Sequence, residues 1–228
     1  MGEQPRDWLK KKFICEGMGD FDDKDVLRLM LYYAMPYKDT GDAAQLLLDK
    51  FGSISEVLDA PVSELVKVKG VGEHTAVLLN MLPQLCRLYT KDKYSGRKIQ
   101  GLPEIAKFAS DCFIGLTTEH FFLFCLDENL TLLSHCLISK GGVNSSTVDL
   151  RKIIEIMVSI DAANAVVAHN HPRGNCIPSQ ADLDTTAAIA KALNPLGMRL
   201  LDHVVVSVSD YTSMAEYPRK YGVWFKSG

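Results

Sequence analysis

The feature that most constrains the fold is a short apolar run, Ala165 to Ala168, which ends directly at His169. On both sides of it, at about 148–159 and 182–193, apolar residues recur with helical spacing. A short apolar run between two helices is typical of a strand buried in a sheet that helices cover. The same patterns predict further strands at 119–126, 130–138 and 199–207 and a helix at 102–115. We therefore predict an α/β domain with a central mixed sheet flanked by helices.

The first 91 residues are predicted to form a helical domain, because strand signals are few there. Helical patterns cover 25–34, 41–50, 54–58 and 61–65, and a long helix follows Gly72 to about Tyr89. The segment from Lys91 to Lys98 is polar and basic, which is typical of a linker. We therefore place a basic linker at 92–98, between a helical domain at 1–91 and the α/β domain at 99–228.

Composition excludes several classes of protein. The net charge of −3 gives no overall basic character, and no apolar run reaches the roughly 18–20 residues of a membrane span. The N-terminus lacks the apolar core of a signal peptide, and the six cysteines form no paired framework. Such cysteines are typical of free thiols in a reducing compartment, so we expect a cytoplasmic protein without membrane contact. The oligomeric state stays open.

A glycine-rich hairpin in the helical half is a candidate nucleic-acid contact. Gly70 and Gly72 permit a tight turn that presents backbone N–H groups at the start of a helix, and Lys67 and Lys69 add positive charge. This pattern resembles a helix-hairpin-helix that contacts the DNA backbone without reading sequence. The alternative is a plain turn between packed helices, since residues 1–90 hold 14 acidic and 11 basic side chains. A nucleotide-binding loop would also need a preceding strand and a third glycine.

The end of the central strand carries a candidate metal site. Histidines two residues apart, His169 and His171, project to the same side of an extended segment. Asp182 would join them from the first turn of the next helix, and two imidazoles with one carboxylate suit zinc. Alternatively, Ser179-x-x-Asp182 is a helix capping box that needs no metal. The combined spacing of all four residues favours metal binding.

These residues also carry a family resemblance. His-x-His-Pro from His169, followed by Ser179-x-x-Asp182, matches the motif of the JAMM/MPN metalloproteases. With the later Leu-Asp-His-Val at 201–204, the chain resembles the bacterial RadC family, named for DNA repair, over nearly its whole length. The resemblance implies an N-terminal helix-hairpin-helix domain and an MPN domain, whose α/β sheet is similar to that of deaminases. It also implies a zinc ion held by His169, His171 and Asp182, with Ser179 assisting an oxyanion.

In that family a zinc-activated water attacks an amide or isopeptide carbonyl of a peptide or protein, and a glutamate from an earlier strand shuttles its proton. Aligned on the loop that begins at Lys140, the glutamate position here holds Cys136, and residues 129–148 contain no carboxylate. Cys136 could be a fourth zinc ligand or a bystander, or another carboxylate could enter from elsewhere in the fold. We predict zinc binding with poor amide hydrolysis; the alternative is a non-catalytic, DNA-associated module with a structural zinc.

Overall fold

The computed structural model describes residues 5–36, 39–141 and 148–222. The chain divides into two compact units, Met1–Leu85 and Cys86–Gly228. None of the helices among the described residues combines the length and apolar character that crossing a bilayer requires.

The first unit is helical. It contains α1 (Pro5–Glu16), α2 (Asp23–Ala34), α3 (Gly41–Phe51), α4 (Ile54–Asp59), α5 (Val62–Leu65) and the start of α6 (Glu73–Tyr94). Apolar side chains from α2 to α6, among them Leu27, Leu47 and Leu79, form its core. Asp22 caps α2 by accepting a hydrogen bond from the backbone N–H of Asp25.

Helix α6 runs five residues further than its predicted end at Tyr89 and enters the segment assigned to the linker. The ring of Tyr94 stacks on Phe108 with 4.5 Å between ring centroids, and its side chain is buried. Burial of one aromatic ring therefore holds the last turn of this helix, although its sequence is polar. The boundary at 92–98 stays a prediction.

The two glycines of the predicted hairpin differ in their backbone. Gly70 has a φ of +93°, in the region that side chains disfavour, and a Cβ built on it would lie 3.7 Å from the Cβ of Ala43. Gly72 has no positive φ, and a Cβ there would meet open space. The turn therefore requires glycine only at position 70.

The second unit is built on a five-stranded mixed sheet in the order β2-β1-β3-β4-β5. Its strands are β1 (His120–Leu126), β2 (Leu132–Lys140), β3 (Asn164–Asn170), β4 (Arg199–Val206) and β5 (Tyr211–Ser213). The β3–β4 pair is parallel and the other neighbours are antiparallel. The predicted α/β class with a mixed sheet is confirmed, and β5 is an addition.

Helices cover both faces of this sheet. They are α7 (Leu102–Asp111), α8 (Leu150–Ser159), α9 (Gln180–Leu193) and α10 (Pro218–Tyr221), with a short 3-10 turn at Asn194–Leu196. Phe108 of α7 packs with Val166 on one face, whereas Met157 of α8 and Ile189 of α9 pack with Val167 on the other. All seven residues of β3 are buried, which explains its unbroken apolar run.

Asp202 of β4 is a fully buried acid that anchors the segment after β5. Its carboxylate accepts hydrogen bonds from the backbone N–H groups of His203 (2.7 Å) and Ala215 (2.9 Å) and from the hydroxyl of Ser213 (2.6 Å). Burial raises the pKa of Asp202 to about 6, although these hydrogen bonds act to lower it.

Because the pKa of Asp202 is higher in the folded state than in the unfolded state, the protonated carboxyl favours folding, and Asp202 stabilises the fold most below pH 4. Its contribution falls as the pH rises through about 6, by about 3 kcal/mol. Asp202→Asn keeps an acceptor oxygen and cannot ionise. From pH 4 to pH 7 we therefore expect the wild type to lose about 3 kcal/mol of unfolding free energy relative to this variant. A difference that is constant across this range, in urea titrations, would contradict the raised pKa.

Candidate metal centre

The two histidines of the motif are held by the parallel pairing of β3 with β4. His169 is the sixth residue of β3 and is 1% exposed, with its ring stacked against Phe121 of β1. His171 follows the strand, and its backbone N–H donates to the carbonyl of Val206 at 2.7 Å. The extended backbone thus continues to His171, and alternation places both imidazoles on one face of the sheet.

Asp182 comes from the first turn of α9. Ser179 caps this helix: its hydroxyl and its backbone N–H donate to Asp182 Oδ2 at 2.6 and 2.8 Å, and the Asp182 N–H donates back to Ser179 Oγ at 3.3 Å. This reciprocal pair is a capping box, so the capping box predicted for Ser179 and Asp182 is confirmed. The box occupies Oδ2, and Oδ1 faces His169.

Three ligand atoms converge at this point. His169 Nε2 lies 3.0 Å from His171 Nε2 and 3.1 Å from Asp182 Oδ1, and His171 Nε2 lies 3.7 Å from Asp182 Oδ2. Among the His, Cys, Asp and Glu side chains of the described residues, these three alone form a group suited to a metal ion.

The chemistry of these atoms fits a divalent cation. His171 Nδ1 lies 2.8 Å from the carbonyl oxygen of Asn175, and since a carbonyl only accepts, Nδ1 carries the hydrogen. In the neutral ring, Nε2 then presents a lone pair toward the carboxylate of Asp182. Where no hydrogen stands between these donor atoms, 3.0–3.7 Å apart, a cation between them removes the repulsion of their lone pairs. Two nitrogens and one oxygen are the donor set that zinc accepts.

Burial and neighbouring groups shift the pKa values of two residues in and beside this cluster, Asp182 and His203. Burial acts to raise the pKa of Asp182, but the adjacent His169 and the hydrogen bonds from Ser179 outweigh it and hold that pKa well below its usual range. Burial, with the neighbouring His169, lowers the pKa of His203 well below its usual value. His203 Nε2 lies 2.8 Å from His169 Nδ1.

Cys136, at the predicted glutamate position, lies outside this cluster. It pairs across the sheet with Leu123, which pairs with Val167, two residues along β3 from His169. Its thiol is 3.6 Å from the hydroxyl of Ser134. Ser139 is the β2 residue level with His169, through Phe121. All six cysteines are free thiols.

Glu119 is a carboxylate that no local sequence pattern indicates. It directly precedes β1, and its carbonyl accepts from Gly141 N at 2.8 Å, so the pairing with β2 extends to this residue. Phe121 pairs with His169 in the antiparallel register of β1 and β3. Glu119 lies two residues before Phe121, and His171 lies two residues after His169, so the same register would place them opposite each other. Alternation therefore assigns Glu119 to the face that carries the histidines. Only the register between distant strands reveals this placement.

The residues of the predicted DNA contact lie in the unit Met1–Leu85. Lys67, Lys69, Gly70 and Gly72 are all exposed. The ammonium of Lys67 forms an ion pair with Glu64, which also pairs with Lys50 at 3.3 Å. Lys69 and Gly70 line a cavity of about 410 Å³ together with Asp39 and Asp42.

The fold and the site define the class of protein. A mixed sheet covered by helices, with a His-His-Asp group at the end of its central strand, agrees with the MPN domain that the resemblance to JAMM/MPN proteins implies. The family model described as a RadC-like JAB domain matches residues 99–220.

Curated relatives resemble the chain over most of its length. A UPF0758 protein of Ruegeria pomeroyi is 32% identical over 88% of this chain and 90% of its own length. UPF0758 proteins of Rhodobacter capsulatus and Fusobacterium nucleatum are 30% and 28% identical, over 87% and 92% of this chain and 93% and 94% of their own lengths. The chain belongs to the RadC family.

Zinc binding is expected to depend on the three clustered residues. His169→Ala and Asp182→Ala should each weaken zinc affinity by more than the roughly 10–100-fold that loss of an outer partner costs. His74→Ala, which removes an exposed histidine of α6, is the matched control. Competition with a chromophoric chelator measures the affinities. Equal affinity in all four proteins would exclude this metal centre.

Proposed function

We propose that this protein is a zinc-dependent hydrolase of amide or isopeptide bonds in a peptide or protein. The observation that carries the proposal is the convergence of His169 Nε2, His171 Nε2 and Asp182 Oδ1 in a largely buried pocket of lone pairs. A zinc ion bound there would supply Lewis-acid activation of water and of the carbonyl group. Three protein ligands leave one coordination position for that chemistry, as in catalytic zinc sites.

Within this proposal, Glu119 is the general base and proton shuttle. Hydrolysis of an amide requires a group that takes a proton from the attacking water and gives it to the leaving amine. A carboxylate at residue 119 would stand beside His171 on the face of the sheet that holds the ligands. This assignment replaces the carboxylate that the sequence lacks at Cys136.

Ser179 has a supporting role in the proposal. Its hydroxyl hydrogen is donated to Asp182 Oδ2 at 2.6 Å, so it orients the carboxylate that would bind the metal. Assistance to an oxyanion would require this hydrogen bond to break. Cys136 has no part in the proposed reaction, because its thiol stands apart from the three ligands.

Glu119→Gln is expected to reduce zinc-dependent hydrolysis by about 100-fold or more while zinc affinity stays close to that of the wild type, because the base is lost and the ligands are kept. Cys136→Ser should leave both quantities unchanged. The measurement is turnover of a fluorogenic peptide and isopeptide library, with zinc affinity determined on the same preparations. If Cys136→Ser abolishes turnover while Glu119→Gln is fully active, the assignment of the base is wrong.

We also propose that α5, the turn at Gly70 and α6 form a helix-hairpin-helix that contacts DNA phosphates. The positive φ of Gly70 beside the exposed Lys69 supports this second function. Asp39 and Asp42 in the same cavity, and Glu64 at Lys67, oppose it electrostatically. Weak, salt-sensitive binding is therefore the proposal, in a cytoplasmic protein whose free thiols suit a reducing compartment.

Glu64→Gln is expected to strengthen binding of a short DNA duplex, because it releases Lys67 from its ion pair. Lys69→Ala should weaken binding and lower the slope of log affinity against log salt by about one. Fluorescence anisotropy across a salt series measures both effects. Absence of binding by the wild type at the lowest salt would end this proposal.

A further inference from the structure

We infer that His203 and Thr186 form a directional hydrogen-bond chain that fixes the tautomer of His169, so that its Nε2 is free for the metal. This inference deepens the proposed metal function and rests on it for its consequence. His203 and Thr186 do not touch the metal position, so both are positioning residues.

The chain consists of three short, buried contacts. His169 Nδ1 lies 2.8 Å from His203 Nε2, and His203 Nδ1 lies 2.6 Å from Thr186 Oγ1. Thr186 Oγ1 lies 2.6 Å from the backbone carbonyl oxygen of Asp182. His203 and Thr186 are both 0% exposed and His169 is 1% exposed, so solvent offers no substitute partner.

The carbonyl at the far end gives the chain its direction. A carbonyl oxygen can only accept, so Thr186 donates its single hydroxyl hydrogen to Asp182. Thr186 Oγ1 can then only accept from His203, and His203 Nδ1 must carry the hydrogen. In the neutral ring of His203, Nε2 has a lone pair and accepts from His169 Nδ1. The hydrogen of His169 is therefore on Nδ1, and its Nε2 is left for a ligand.

The reverse direction is disfavoured by the same distances. If Thr186 donated to His203, two oxygens with no hydrogen between them would stand 2.6 Å apart at Asp182. The third neighbour of the hydroxyl is Met214 Sδ at 3.7 Å, and a thioether is a weak acceptor that does not displace a carbonyl.

Asp182 contacts both ends of this hydrogen-bond chain. Asp182 anchors it with a backbone carbonyl and faces its other end with carboxylate Oδ1, 3.1 Å from His169 Nε2. A shift of α9 would therefore disturb the ligand and the tautomer of its neighbour together. His171 differs, because its tautomer is set by a single loop carbonyl, at Asn175.

Two measurements test the inference. The first is ¹⁵N NMR of histidine-labelled protein without metal, with signals assigned from His203→Gln and His169→Gln. The expected result is a neutral His203 with hydrogen on Nδ1 and none on Nε2. Hydrogen on His203 Nε2 would overturn the inference, whatever the protein's affinity for zinc.

The second measurement is the zinc affinity of Thr186→Val and Thr186→Ser. Valine has the shape of threonine but leaves the His203 N–H without an acceptor, so we expect affinity to fall by about 10–100-fold. Serine retains the hydroxyl and should restore the affinity to near that of the wild type. Wild-type affinity in a folded Thr186→Val protein would contradict the inference.

The outcomes separate this inference from the proposed metal function. If wild-type protein binds no zinc but His203 carries its hydrogen on Nδ1, the proposed metal function is wrong and the inferred hydrogen-bond chain is supported. If the protein binds zinc but Thr186→Val does not change the zinc affinity, the metal site is supported and the inferred hydrogen-bond chain is wrong. Should Thr186→Val not fold, the NMR experiment on the wild-type protein still decides.

Discussion

The site depends on one buried carboxylate. Asp182 caps its own helix through Oδ2, faces both histidines, and accepts the hydroxyl of Thr186 with its backbone carbonyl. A charged side chain at 2% exposure is stable only with such a set of donors or with a cation. The position of α9, the orientation of His169 and the charge of the pocket thus all follow from how this residue is satisfied.

The capping-box and metal-ligand interpretations of Ser179 and Asp182 are compatible. A carboxylate has two oxygens, and here the capping box uses Oδ2 while Oδ1 faces His169. A capping pattern in a sequence is therefore no argument against a metal ligand at the same aspartate. It can instead be the means by which that ligand is oriented.

Local patterns predicted the mixed sheet, the buried strand β3 and the grouping of His169, His171 and Asp182, because each depends on residues near one another in the chain. The placement of Glu119 depends on the register of β1 against β3, about fifty residues later, and no local pattern contains it. The same holds for the contact of His203 with His169, which joins residues 34 apart in the chain through the pairing of β3 with β4. The spacing from the loop at Lys140 instead predicts the glutamate position at Cys136, on a strand whose pairing with β1 has a bulge between Leu137 and Ser139.

The capping box at Ser179 has a thermodynamic consequence. A cation that binds only the folded site stabilises the fold by about 1.4 kcal/mol for each tenfold excess over its dissociation constant. Because the ligand carboxylate is also the N3 residue of α9, this stabilisation acts first on the opening turn of that helix. Metal binding and local unfolding of α9 are therefore linked equilibria. A shortage of the ion would favour fraying of α9, and fraying of α9 would weaken binding of the ion.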